Sequence, residues 1–227
     1  MPEKELVSIV IPTWNEAGNI RTLIEDINRC LKGYNYEILV IDKYSEDGTA
    51  DIARKMGARV ILDKGGKGAA LIRGFKEAKG DIVVSMDADL SHRPKELVLL
   101  IESIKIGYDA AMGSRFIIGG GSSDMPWYRR FGNKVFVILV NLLYRTHYTD
   151  LCYGYRSFSK EALNRLKLRE EGFGIETEIN IKCAKQRLNI IEIPSYEKKR
   201  SSGEAKLRTF RDGFRILKAI IKYKFMD

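Results

Sequence analysis

Two carboxylates one residue apart, Asp87 and Asp89, follow the apolar run Ile82–Met86. Such a pair at a strand end can share an oxygen-seeking divalent cation, which in turn neutralises a diphosphate. With Ala88 between them, the same residues would also serve as a polar turn ahead of a helix starting at Pro94. Asp42 closes another apolar run and leads into Ser45-Glu46-Asp47-Gly48-Thr49. A carboxylate there accepts hydrogen bonds from a base or ribose, and Asp47 or Thr49 would cap a following helix. Gly65-Gly66-Lys67-Gly68 joins a permissive backbone to one cation, which suits a phosphate; it has neither Walker nor GxGxxG spacing and on its own reads as a surface turn. Arg115, Arg129, Arg130, Arg200 and Lys206 are cations near loops of the second half, able to grip a phosphate only if the fold converges them. His92 lies within reach of the Asp87 region, whereas His147 reads as an ordinary loop residue, and no catalytic triad is present. A reaction whose nucleophile is already anionic needs no histidine base.

The elements that must position these groups alternate along the chain. Val7–Ile11, Glu37–Ile41, Arg59–Leu62, Ile82–Met86 and Asp109–Met112 read as strands. Between them, Ile20, Leu23, Ile24, Ile27 and Leu31 recur at helical spacing, and helices are expected over Ala69–Ala78 and from Pro94 to Ile106. This order predicts an α/β fold with a doubly wound, mostly parallel sheet and helices on both faces, in which ligands bind beyond the carboxyl ends of the strands. The loops Pro12–Glu16, Asp42–Thr49, Asp63–Gly68, Asp87–His92 and Gly113–Arg115 fall at that edge. After a flexible loop at Gly119–Gly121 comes a helix over Trp127–Tyr144, apolar on nearly every side and so either buried all round or in contact with lipid. A strand at Tyr153–Phe158, helices near Lys160–Leu166 and Glu176–Gln186, and a strand at Ile190–Ile193 follow. The last helix, from about Arg208, sets Phe210, Phe214, Leu217 and Ile221 beside Arg211, Arg215, Lys218 and Lys222, a basic amphipathic pattern suited to an anionic membrane or to core packing. We read one domain, 1–227, with functional halves at 1–115 and 116–227.

Composition bounds the partners. With 44% hydrophobic residues the chain can bury a core, and its net charge of +9 favours an anionic partner. No nucleic-acid motif or aromatic–basic interleaving is present, so nucleic acid is not expected. The three cysteines lack CxxC spacing and read as free thiols of a reducing compartment. Neither a signal peptide nor a spanning apolar stretch is seen, which leaves a soluble or membrane-surface protein.

The strings themselves carry a resemblance. Val7-Ser8-Ile9-Val10-Ile11-Pro12-Thr13-Trp14-Asn15-Glu16 resembles the opening of family 2 glycosyltransferases, Ile41-Asp42 through Gly48-Thr49 their "VDDxSxDGT" loop, and Met86-Asp87-Ala88-Asp89-Leu90 their "MDADL". Lys67-Gly68-Ala69-Ala70 with Gly74-Phe75, Gly113-Ser114-Arg115 and the stretch from Arg200 to Lys206 resemble further motifs of the dolichyl- or polyprenyl-phosphate sugar transferase branch. The resemblance implies a GT-A fold, an inverting transfer, a nucleotide diphosphate sugar (UDP- or GDP-sugar) as donor and polyprenyl or dolichyl phosphate as acceptor. It implies that Pro12, Trp14, Glu16 and Asp42, with Lys67 and Ala88, contact the donor, and that Asp87 and Asp89 hold Mg2+ or Mn2+. Arg115, Arg129, Arg130, Arg200 and Lys206 would grip the acceptor phosphate, with Asp89, Arg115, Arg130 and Arg200 at the reacting centre. It further implies a peripheral position at the cytoplasmic face of the cell membrane, reached through an anionic lipid surface or a membrane protein partner. Two other readings stay open: a saccharide hydroxyl acceptor with Glu176 or Glu178 as base, and a non-catalytic nucleotide-sugar-binding subunit. Lys43, Tyr44 and Ser91 depart from the family pattern, the last where the branch has glutamine.

Overall fold

A computed structural model describes residues 5–123, 125–199 and 209–225. The chain runs β1 (Leu6–Thr13), α1 (Ala17–Cys30), β2 (Asn35–Asp42), α2 (Thr49–Lys55), β3 (Arg59–Leu62), α3 (Lys67–Glu77) and β4 (Ile82–Ser85). A 3-10 turn at Pro94–Glu96 then leads into α4 (Leu97–Lys105), followed by β5 (Ala110–Ser114), β6 (Gly121–Ser122), α5 (Trp127–Tyr144) and β7 (Arg156–Ser159). The chain continues through α6 (Lys160–Arg165), α7 (Ile175–Lys185), β8 (Ile190–Pro194), β9 (Tyr196–Glu197) and α8 (Thr209–Phe225).

Seven strands form one sheet in the order β3-β2-β1-β4-β7-β5-β8, parallel except that β7 runs antiparallel to both β4 and β5. The continuous β-branched runs are buried on both faces, as a helix-covered sheet requires. Val10, Leu39, Ile41 and Val83 pack into the core under α3, α7 and α8, while Ile9, Ile11, Val40 and Val84 pack into the opposite one under α1 and α4. The helical spacing of Ile20, Leu23, Ile24 and Ile27 puts all four against the second core with no exposure.

Two expectations change. The strand predicted over Tyr153–Phe158 begins only at Arg156, leaving Tyr153–Tyr155 as a loop at the ligand edge of the sheet. The Gly119–Gly121 segment is partly structured, since β6 pairs in parallel with β9. Along α5, Trp127, Phe131, Val135, Ile138 and Leu142 form an exposed apolar stripe, with Phe131 65% and Leu142 76% exposed, while Phe136, Val140 and Leu143 face the core. Among the described residues no helix is long and apolar enough to cross a membrane.

Candidate active site

The carboxyl ends of β1, β2 and β4 face α5, α7 and α8 across a cleft of about 760 Å3. Pro12, Trp14 and Glu16 after β1, Lys43 after β2, Gly65–Lys67 at the start of α3 and Asp87–Asp89 after β4 line its first wall. Each of three of these loops holds a strained residue: Asn15, Tyr44 and Leu90, none of them glycine, adopt positive φ of 54°, 49° and 63°. A leucine in that region is costly, and it persists here because neighbouring bonds fix the turn. Ser91 donates from its backbone N–H (3.1 Å) and its hydroxyl (2.6 Å) to Asp89 Oδ1, and the Asp87 N–H donates to His92 Nδ1 at 3.1 Å. His92 is buried and stacked on Tyr155 at 4.6 Å; burial depresses its pKa, so the ring is a neutral support for the turn.

Lys67 reaches into the same turn. Its ammonium lies 2.8 Å from Asp87 Oδ1, 3.1 Å from Oδ2 and 2.9 Å from Glu176 Oε1. Burial alone would depress this amine, but the two carboxylates outweigh it and hold the cation well above the usual lysine range. The glycines beside it do something other than cradle a phosphate. A Cβ on Gly68 would meet the Glu170 carbonyl oxygen at 2.0 Å, and the Gly68 and Ala69 N–H groups donate to the Glu171 carbonyl. They let α3 abut the 170–172 loop, so the segment is a cleft wall and not a surface turn.

Asp42 lies outside the cleft lining. It is fully buried and accepts from Thr13 Oγ1 (2.8 Å), Ser45 N–H (2.8 Å) and Ser45 Oγ (2.7 Å), tying the loops after β1 and β2 together. In this structure its carboxylate supports the loops that line the cleft. Arg115 does line the cleft, yet its guanidinium is gripped by Asp150 (Nε–Oδ2 2.7 Å, Nη2–Oδ1 2.9 Å) and by Glu197 at 3.2 Å, and it stacks on Tyr153 at 4.5 Å. Arg129, on the first turn of α5, also lines the cleft. Arg130 does not; it is exposed, with its guanidinium 5.6 Å from the Phe116 ring centroid. Arg200 and Lys206 lie outside the described residues.

Of the two candidate bases, Glu176 lines the cleft beside Lys67. Glu178 faces away, accepting from the Arg169 and Glu170 N–H groups and from the Tyr223 hydroxyl, with Lys182 at 2.8 Å. Asp150 and Glu197 escaped the sequence reading because they approach Arg115 only through the loop before β7 and the β6–β9 pairing. The far wall was missed as well: Met125, Tyr128, Phe136, Phe173, Phe214, Ile216 and Leu217 make that end of the cleft apolar. The aromatic content of α5 was a signal, but not the side on which it would fall.

A family model described as "Glycosyl transferase family 2" matches residues 8–167, which span most of the chain and all the loops of the first wall. The chain belongs to glycosyl transferase family 2. The family 2 chain is 39% identical over 210 residues to a dolichol-phosphate mannosyltransferase of Pyrococcus furiosus, covering 89% of this chain and 59% of that protein. It is 34% identical to a dolichyl-phosphate hexose transferase of Haloferax volcanii, covering 95% and 92% of the two chains. Its fold is also that of the glucosyl-3-phosphoglycerate synthase of Mycobacterium tuberculosis crystallised with Mn2+, UDP and glucosyl-3-phosphoglycerate (TM-score 0.76, 22% identity, 97% of this chain and 80% of that one). The chain thus has the mostly parallel α/β sheet that its strand–helix alternation implied and the GT-A architecture that the resemblance implied.

Proposed function

We propose that this chain transfers a sugar, with inversion, from a nucleotide diphosphate sugar to the phosphate of a polyprenyl or dolichyl lipid. The observation that carries the reading is the division of one cleft into two chemistries. Lys43, Lys67, Asp87, Asp89, Arg115 and Arg129 charge one part of it, while Met125, Tyr128, Phe136, Phe173, Phe214 and Leu217 make another part apolar. An acceptor that joins a phosphate to a hydrocarbon chain matches both parts. The names of the Pyrococcus and Haloferax relatives agree with such an acceptor.

The donor's diphosphate would sit at Asp87 and Asp89. Their donor set fits Mg2+ or Mn2+: both offer carboxylate oxygens, and Asp87 already attracts a cation, the Lys67 ammonium. Among the described residues no cluster of three or more His, Cys, Asp or Glu could hold a metal, so donor oxygens and water would complete the shell. When bound, such an ion neutralises the leaving diphosphate. Trp14 and Lys43, whose ammonium lies 4.9 Å from the indole, would flank the nucleoside at the mouth of the cleft. Arg129, with Arg200 and Lys206, would orient the acceptor phosphate; Arg115, whose guanidinium is already closed between Asp150 and Glu197, would brace the cleft wall beside them.

A phosphate monoester attacks as the anion it already is. A saccharide hydroxyl would need a carboxylate base, and the cleft's candidate, Glu176, is already engaged by the Lys67 ammonium at 2.9 Å. The exposed stripe of α5 and the exposed Phe214, Ile221 and Phe225 of α8 would rest on an anionic membrane at its cytoplasmic face, with Lys218 and Lys222 toward the head groups.

The test mixes the purified chain with polyprenyl phosphate, Mg2+ or Mn2+, and radiolabelled UDP-glucose, UDP-GlcNAc or GDP-mannose in turn. Label entering the organic phase with one donor, and lost with EDTA, supports the reading. No label in the organic phase with any donor, although the chain binds nucleotide in a metal-dependent way, would overturn it.

A further inference from the structure

The contacts of Lys67 also bear on how a metal reaches the cleft. The Lys67 ammonium covers both oxygens of Asp87 and reaches Glu176 on the other side. Lys67 is the first residue of α3, and its backbone cannot withdraw, because Gly66 and Gly68 on either side abut the Glu171 carbonyl. Its side chain can still swing. A divalent cation engaging the Asp87 carboxylate would meet a second cation within about 3 Å, a repulsion of like charges in a partly desolvated cleft. Glu176, whose side chain is only 8% exposed, remains as a counter-charge for the ammonium once Asp87 is given up. A diphosphate offers anionic oxygens that would draw the ammonium the same way.

We propose that Lys67 is a built-in counter-cation that competes with the divalent metal for Asp87, so that metal enters tightly only together with the nucleotide diphosphate. The inference rests on the donor-site reading given above and goes beyond it by assigning an order of binding. Metal and diphosphate then favour each other reciprocally, because the diphosphate removes the competitor of the metal. Glu176 is a positioning residue in this device, the place to which Lys67 retires, and not a base.

The test is Mn2+ binding without nucleotide, read by the electron paramagnetic resonance signal of free Mn2+. Lys67→Met should bind Mn2+ about tenfold more tightly than the unmodified protein, within the range usual for coupled sites. Lys67→Gln keeps an amide donor for both carboxylates, guards against a folding failure, and should shift the same way. Lys64→Met removes an equal charge from the same loop, where Lys64 stacks on Tyr44 at 5.6 Å, and should leave the affinity within twofold. Equal Mn2+ affinity in both Lys67 variants and the unmodified protein would overturn the competition, and so would an equal gain in Lys64→Met, which would make it a general charge effect. Asp89→Ala separates the two readings. If it abolishes Mn2+ binding while the Lys67 variants behave like the unmodified protein, only the competition falls; if Mn2+ binding survives Asp89→Ala, the donor-site reading falls with it.

Discussion

Ser91 stands where the resembling branch has glutamine, and its short hydroxyl donates at 2.6 Å to Asp89 Oδ1. A partner of this kind fixes the direction in which a carboxylate offers its other oxygen. Ser91→Ala should therefore weaken Mn2+ binding by about tenfold with little change in the unfolding midpoint. Unchanged affinity would show that the strained Leu90 turn orients Asp89 without help. A second expectation concerns the thiols. Burial above all pushes Cys152 and Cys183 up to about 12 from 9.0, with Asp150 adding to it at Cys152 and Arg156 opposing it at Cys183. Both should therefore resist alkylation at pH 8, leaving Cys30 to react first, and fast labelling of Cys183 in the folded protein would contradict the packing. The sign for stability follows: the protonated thiols favour the fold below pH 9, and that contribution is lost as pH rises toward 12.

At the scale of elements, α5 carries two faces with different duties. Asn133 and Phe136 belong to the cleft wall, whereas Trp127, Phe131, Val135, Ile138 and Leu142 point away from it. The helix is tied to the rest of the second half by Tyr144, whose hydroxyl donates to the Ile220 carbonyl of α8, and by Lys224, which donates to the Leu143 carbonyl. Replacing Phe131 and Leu142 together by serine should cut partition onto anionic vesicles by at least tenfold, since each buried apolar side chain is worth about 1.5–3 kcal/mol. The fold should lose little stability, because both side chains are already exposed. Equal vesicle binding by the double variant, measured by co-sedimentation, would remove this stripe from membrane contact. Sequence periodicity had found the bounds of this helix, Trp127 to Tyr144, but could not orient it, because nearly every turn offers an apolar residue on each side.

For the molecule as a whole, the net charge of +9 predicts that vesicle association weakens with salt. Raising ionic strength from about 0.05 to 0.5 M should release the chain from anionic vesicles, because the Debye length shrinks well below the reach of its surface cations. Retention unaffected by salt would mean that apolar contact alone holds it. How much of the architecture could be read in advance differs between the halves. Strands buried on both faces need unbroken β-branched runs, and loops at one sheet edge follow from strict alternation, so Val7–Ile11, the run from Ile82 and the position of Asp87 and Asp89 were all legible. The antiparallel β7 between β4 and β5 was not, since a strand's own residues carry no record of which neighbour it joins. The same limit governs the charges. A residue's type determines what bonds it can make, so the sequence by itself determined the inventory: two paired carboxylates, a glycine-flanked lysine, a row of arginines and scarcely any histidine. Only the tertiary structure decided their partners. It turned Asp42 inward to hold Thr13 and Ser45, closed Asp150 and Glu197 around Arg115, and set Lys67 between Asp87 and Glu176. Electrostatic pairing depends on distances of a few ångströms between residues tens of positions apart in the chain, and those distances come into being only when the sheet and its helices pack.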